Sequence, residues 1–203
     1  MNVEYLTVEQ KSGLQMLSRS QILILILCFL IGLVSSNWLS AQENGSKPGI
    51  KGQQAPEWAV SQWHQLPDGK EALNIGDYKG KVLYLYFFQS WCPGCHKRGF
   101  PVVKKLYEKY KDDKQVEFVV IQSTFEGHST NTAAKLKPVA AKYKLPIPFG
   151  QSRGSRGTPE IMQKYRTGGT PWSVIIDKQG KVQFNDYFIT ADNASSIIDG
   201  LKK

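Results

Sequence analysis

Two short runs, KVLYLYFF (Lys81–Phe88) and VEFVVIQ (Val116–Gln122), are apolar almost throughout and rich in β-branched and aromatic residues. A strand that hides one face alternates apolar and polar residues. One that is apolar along its whole length is covered on both faces, like the central strands of a mostly parallel sheet. The segment between the runs supplies the crossover: Val103, Leu106, Tyr107 and Tyr110 recur at spacings of three and four, on one face of a helix with lysines opposite. Strand, helix and parallel strand form the predicted centre of the domain.

Further along, PWSVIID and KVQFNDYF flank KQG, which predicts an antiparallel hairpin turning at Gly180. A last helix is expected from about Ala191, started by Thr190 and burying Ile197, Ile198 and Leu201. Residues 129–165 read as an insertion with two helical pieces. One runs from Asn131 to Lys144 and contains Pro138; the other follows Thr158 with Pro159 at its first position. PFGQSRGSRG between them reads as a Gly-rich loop. No internal repeat is visible. This order predicts an α/β sandwich with a mixed sheet.

The N-terminus is of another kind. No charged residue occurs from Ser20 to Gln42, and Ile22–Val34 is nearly all aliphatic, with Lys11 and Arg19 before it. That is an export signal or a membrane anchor helix. Its apolar core of 13 residues is shorter than the roughly 20 a span requires, although Ser35–Ala41 extends it. Cys28 lies inside it as a small apolar residue. QENGSKPGIKGQQAP then reads as a polar tether. The expected organisation is a signal or anchor over 1–41, a flexible tether over 42–54 and one domain over 55–203. The domain is expected in the periplasm or on the extracytoplasmic face of the inner membrane, where disulfides persist.

The chain has 203 residues, 41% hydrophobic and 21% charged, which suits one folded domain and argues against disorder along its whole length. The net charge of +9 is spread: KKLYEKYKDDK and KLKPVAAKYK interleave lysines with apolar residues at helical spacing. These read as solvated helix faces, and no nucleic-acid partner is expected.

In FFQSWCPGCHKRGFP, Cys92 and Cys95 follow directly on the first strand. Structural zinc takes about four Cys or His ligands, usually in two close pairs; His64, His96 and His128 are scattered, so no metal is expected. A bridge across two residues closes too small a loop to constrain the unfolded chain much. The same pair at the start of a helix suits reaction. The first sulfur meets unpaired backbone N–H groups and the positive end of the helix dipole, which favours a thiolate at Cys92. Cys95, one turn inward, is placed to attack a mixed disulfide formed at Cys92. His96 falls four residues after Cys92, on roughly the same helical face, where its cation would lower the thiol pKa. A solvent-facing histidine without a role fits equally well.

WCPGC after an aromatic strand, with GGTPW (Gly168–Trp172) before the final hairpin, resembles the thioredoxin-like fold. More closely, the chain is similar to exported thiol–disulfide oxidoreductases of the TlpA type and the redoxin group. APEWAV, IGDYKGKVLYLYFF, WCPGC, TPW and VIIDKQGKV occur in that group's order, and the resemblance covers about Ala55–Lys203. It implies a thioredoxin-like three-layer sandwich with a helical insertion. It also implies that Pro171 is a cis-proline facing the cysteines, with the Thr170 backbone free to pair with an incoming chain. Trp91, Pro93, Gly94, Thr170 and Pro171 would then form the substrate surface, the partners being proteins with thiols or disulfides, without cofactor.

Three departures from the family pattern stand out. Tyr86 replaces the buried acid that thioredoxin carries six residues before its first cysteine. Pro101 comes one residue later than usual, which implies a bulge around Gly99. Pro-Gly between the cysteines is not the commonest pair. In TFEGHST, Glu126 and His128 follow the second strand at its carboxyl end, where loops gather around sites in open α/β sheets; they are candidates for tuning the thiols and lining the groove.

The leading expectation is a thiol–disulfide oxidoreductase acting on protein partners outside the cytoplasm, a reductant if it follows its analogues in cytochrome c maturation. One alternative is a peroxiredoxin-like peroxidase, although Gln89 stands where that chemistry needs threonine or serine. Another is a non-catalytic redox or metal-binding adaptor.

Overall fold

The structure, a computed structural model, describes residues 48–154 and 157–203. The apolar N-terminal segment and the first part of the expected tether lie outside the described residues.

In chain order the elements are β1 (Gln62–His64), β2 (Val82–Phe88), α1 (Phe100–Tyr110), β3 (Val116–Thr124), α2 (Leu136–Tyr143) and β4 (Phe149–Arg153). There follow α3 (Glu160–Tyr165), β5 (Trp172–Ile176), β6 (Val182–Asp186) and α4 (Ala191–Leu201). The six strands make one mixed sheet in the order β1-β4-β3-β2-β5-β6. β2 pairs with β3 in parallel, Val82 opposite Val116 through to Phe88 opposite Gln122. β4 runs parallel to β3, while β1, β5 and β6 are antiparallel to their neighbours.

All seven residues of β2 are buried, and they divide between two cores by the alternation of a strand. Tyr84, Tyr86 and Phe88 face a cluster with Phe100, Val103 and Leu106 of α1, Leu136 and Val139 of α2, and Ile198 of α4. Leu83, Leu85 and Phe87 face the other, with Ile161, Met162 and Tyr165 of α3 and with Trp58 and Tyr78. At roughly 1.5–3 kcal/mol per large buried side chain, this one strand outweighs exposed ion pairs worth under about 1 kcal/mol each. The strand that leads to the cysteines is thus held by both cores.

The central strands, the crossover helix, the hairpin at Gly180 and the helix started by Thr190 are all present. Four features differ from expectation. Phe149–Arg153, expected within a loop, is β4; its Gln151 and Ser152 are buried with hydrogen bonds, a burial that apolar patterning does not register. The three-residue edge strand β1 is too short and polar to show a period. The helical piece expected from Asn131 opens instead with a 3-10 turn over Ala133–Lys135 before α2, and Pro159 caps α3 from outside it. Finally, residues 48–54 are not a loose tether. Ile50 is buried, Gly49 N–H donates to the Arg166 carbonyl at 2.8 Å, and Gly52 and Gln53 exchange hydrogen bonds with Val182 at 2.8 and 2.9 Å. The glycines that suggested flexibility sit at positive φ, at 88° for both Gly49 and Gly52, making turns that add this segment to the sheet margin.

Candidate active site

The chain leaves β2 through Gln89–Trp91 and is helical from Pro93, so Cys92 stands at the mouth of a helix. Its backbone N–H donates to the Gln89 carbonyl at 3.1 Å, fixing the turn. Cys92 is 9% exposed and Cys95 is completely buried. Both are free thiols. The backbone N–H of Cys95 donates to Cys92 Sγ at 3.2 Å, and the Cys92 thiol reaches the Thr170 carbonyl at 3.7 Å. Burial, above all, and the neighbouring Cys92 push the Cys95 thiol up to about 12, against smaller opposing effects of the Gln89 amide and Thr170. One sulfur is therefore slightly exposed and supplied with a donor; the other waits behind it as a thiol.

The Thr170–Pro171 peptide is cis, and a Cβ at Gly94 would lie 3.4 Å from Pro171 Cδ, so this proline packs directly against the CPGC turn. Behind it, Tyr187 lies over Gly168 and Gly169. Its hydroxyl donates to the Gly168 carbonyl, and its ring meets Trp172 edge-on at 4.6 Å. Side chains at Gly168 or Gly169 would meet that ring, at 2.8 and 3.0 Å from its hydroxyl. Gly169 also takes a φ of 148°, so the double glycine answers to both space and backbone. Trp91, Tyr187 and Phe188 are the large apolar side chains left exposed among the described residues.

The helix is irregular where Pro101 implied a bulge. Cys95–Gly99 forms a π-turn, closed by the Phe100 N–H on the Cys95 carbonyl. Tyr86, fully buried on β2, donates its hydroxyl to the same carbonyl at 3.2 Å. A Cβ added at Gly99 would overlap that hydroxyl. Burial, then Cys95, hold the phenol well above its usual range, so it remains neutral.

His96 does not face Cys92. Its Nε2 lies 2.7 Å from the Ser90 carbonyl and its Nδ1 2.7 Å from the Tyr143 hydroxyl. A carbonyl only accepts, so Nε2 carries a proton. The ring braces α2 against the turn before Cys92, stacked at 5.6 Å on Phe100 and 5.8 Å on Tyr143. Glu126 is exposed, and its backbone carbonyl accepts from Asn131 Nδ2 at 3.0 Å. His128 is half-buried, and its Nδ1 has no hydrogen-bond partner among the described residues. Their loop reaches Trp91 through Gly127, where a Cβ would stand 3.1 Å from the indole nitrogen.

A buried amide network beneath the site escaped the sequence reading. Asn131 Nδ2 donates to Gln89 Oε1 at 2.8 Å, while its Oδ1 accepts from Ser90 Oγ at 2.9 Å and Trp91 N at 3.4 Å. Thr124 Oγ1 donates to the Asn131 carbonyl at 2.9 Å and accepts from Gln151 Nε2 at 2.8 Å. Gln122 Nε2 completes the chain to Gln151 Oε1 and to the Thr132 carbonyl at 2.9 Å. Nothing in isolated Asn and Gln codons marks them as interior; only their place at the carboxyl ends of three adjacent strands does. Gln89 is thus committed to holding Asn131 and Trp91. Among the described residues, no cluster of three or more Cys, His, Asp or Glu is able to hold a metal, and no helix is long and apolar enough to cross a membrane.

A thioredoxin-like α/β fold with one slightly exposed thiol, a fully buried partner thiol and a facing cis-proline defines a thiol–disulfide oxidoreductase acting on protein thiols or disulfides. The chain belongs to the Redoxin family, whose pattern matches residues 50–196. It is 30% identical over 161 residues to the thiol-disulfide oxidoreductase ResA of Bacillus cereus (strain ZK / E33L), covering 79% of this chain and 82% of that one. Among solved structures it resembles a thioredoxin-like superfamily protein, with 28% identity and a TM-score of 0.67 over 73% of this chain and 96% of the other. It also resembles a thiol-disulfide isomerase from Corynebacterium glutamicum, with 27% identity and a TM-score of 0.63 over 73% and 97%.

Proposed function

We propose that the CPGC pair is the exchanging dithiol, that Cys92 attacks and Cys95 resolves, and that the exchange takes place outside the cytoplasm. The observation that carries this is the Cys95 N–H directed at Cys92 Sγ from 3.2 Å, with the Cys95 side chain buried behind it. In the reducing direction, the Cys92 thiolate attacks one sulfur of a partner's disulfide. A Cys92–partner disulfide forms, and the other partner sulfur leaves as a thiolate. Cys95, having lost its proton, then attacks Cys92 Sγ. The Cys92–Cys95 disulfide forms and the partner's second sulfur leaves, so the partner gains the two electrons that the pair loses. The oxidising direction is the same sequence reversed.

Trp91, Pro93 and Gly94 form one wall of the partner surface and Thr170 with Pro171 the other, the Thr170 backbone offering main-chain pairing to an extended segment. The Glu126–His128 loop extends the first wall beside Trp91. The uncharged Ser20–Gln42 stretch supports export and, if retained, attachment to the membrane. The role would be that of a reductant, as in cytochrome c maturation.

Capture tests the reading. Cys95→Ser should accumulate disulfide-linked complexes through Cys92 that a reducing agent dissolves, and Cys92→Ser should accumulate none. Complexes formed equally by both variants, or by neither, would refute the division of roles.

A further inference from the structure

The mechanism above uses the two sulfurs and the surface around them but leaves Tyr86 without a part. This side chain is fully enclosed, its ring edge-on to Phe100 at 5.2 Å and stacked near Phe88 at 6.5 Å, and only its hydroxyl is polar. That hydroxyl enters the helix where Gly99 leaves room, and it bonds a carbonyl already held by the Phe100 N–H of the π-turn. The carbonyl belongs to Cys95, whose N–H reaches Cys92 Sγ. Tyr86, Gly99 and the π-turn therefore form one fitted unit: the wider turn and the missing side chain admit the hydroxyl, and the hydroxyl holds the residue that bears the resolving sulfur.

We infer that Tyr86 is a positioning residue for the resolving step, fixing Cys95 through its carbonyl so that the buried sulfur stays aligned for attack on Cys92 Sγ. The inference rests on the exchange reading and deepens it. Attack by thiolate on a disulfide requires the three sulfurs to be nearly in line, so a Cys95 backbone free to relax toward an ordinary α-turn loses rate in that step. The first step, attack by Cys92 on an outside disulfide, does not involve the Cys95 sulfur. Tyr86 exchanges no proton here. Cys95 loses its own to solvent before it attacks, and the leaving sulfur departs with its electron pair.

Dithiobis(nitrobenzoate) separates the steps in the full chain carrying Cys28→Ser, so that only the pair reports. Attack by Cys92 releases one nitrothiobenzoate and leaves the other on Cys92; attack by Cys95 releases the second and closes the disulfide. Tyr86→Phe keeps the ring and removes the hydroxyl. Gly99→Ala keeps Tyr86 and evicts its hydroxyl. Both should slow the second release about five- to tenfold, the worth of one buried hydrogen bond, and the first by less than about twofold. Melting of each variant is followed alongside, since a purely structural role lowers it without separating the two releases. Equal slowing of both releases, or slowing of neither, overturns the role of Tyr86 while leaving exchange intact. Absence of a second release from the chain with native Tyr86 and Gly99 overturns the exchange reading itself, and the role of Tyr86 with it.

Discussion

The backbone N–H of Cys95 and the Sγ of Cys92 lie 3.2 Å apart, so the residue that carries the second thiol also stabilises the first. With Cys92 slightly exposed and Cys95 completely buried and pushed up to about 12, their reactivities should differ widely. A thiol raised that far stays protonated near neutral pH. Brief alkylation of the reduced chain by iodoacetamide at about neutral pH should label Cys92 at least about tenfold more than Cys95, read by peptide mass spectrometry.

The same thiol makes stability depend on pH. The Cys95 pKa is raised from an ordinary 9.0 to about 12, so between those values the folded reduced chain holds a proton that the unfolded chain has lost. Its contribution is complete below about pH 9 and falls as the pH rises toward 12. Tyr78, Tyr84 and Tyr165 are also raised, chiefly by burial and without any part played by the thiols, so the comparison of reduced with oxidised chain isolates the cysteine. Urea unfolding of reduced and oxidised chain from about pH 8 to about pH 10 should therefore show a steeper loss in the reduced form. Parallel curves would place the Cys95 proton in a less buried setting.

Asn131 is completely buried and ties the ends of three segments together: Gln89 with Ser90 and Trp91, the Glu126 carbonyl, and Thr124 through its own carbonyl. Asn131→Ala leaves several of these groups unpaired and should cost about 2–3 kcal/mol in urea unfolding. Trp91 fluorescence should change in the folded variant, because the indole loses the support of Gln89.

His96→Ala removes both ring bonds of the brace, to Ser90 and Tyr143, and should destabilise by about 1–3 kcal/mol; Tyr143→Phe removes the hydroxyl that meets His96 Nδ1 and, at 3.4 Å, the His96 carbonyl, and should cost about 0.5–1.5 kcal/mol. A double-mutant cycle in urea unfolding should find the two non-additive, since they share a bond. Additive losses would mean that the ring and hydroxyl act separately.

β2, β3 and the hairpin could be read in the sequence because apolar burial leaves a period or an unbroken run, and the cysteine pair because its spacing carries its own chemistry. β4 could not, since Gln151 and Ser152 are buried by hydrogen bonds rather than by apolarity. Nor could the direction of His96: the turn from Cys92 to His96 is an ordinary helical one, closed by the His96 N–H on the Cys92 carbonyl at 3.3 Å, and it is the Ser90 carbonyl and the Tyr143 hydroxyl, distant in sequence pattern, that hold the ring elsewhere. The bulge itself was legible, through the displaced Pro101, but not what fills it. That Tyr86 meets Gly99 depends on how helix and sheet stack, which no local pattern encodes.

The lattice of Gln89, Asn131, Gln122 and Gln151 contains carboxamides and no acid or base. Its dipoles keep their orientation in mildly acidic and mildly alkaline surroundings alike, whereas a floor built on carboxylates or imidazoles would rearrange as protons came and went. Beneath Gln89 and Trp91 the site accordingly rests on groups whose charge does not follow ambient acidity, whereas the brace that reaches Ser90 is an imidazole.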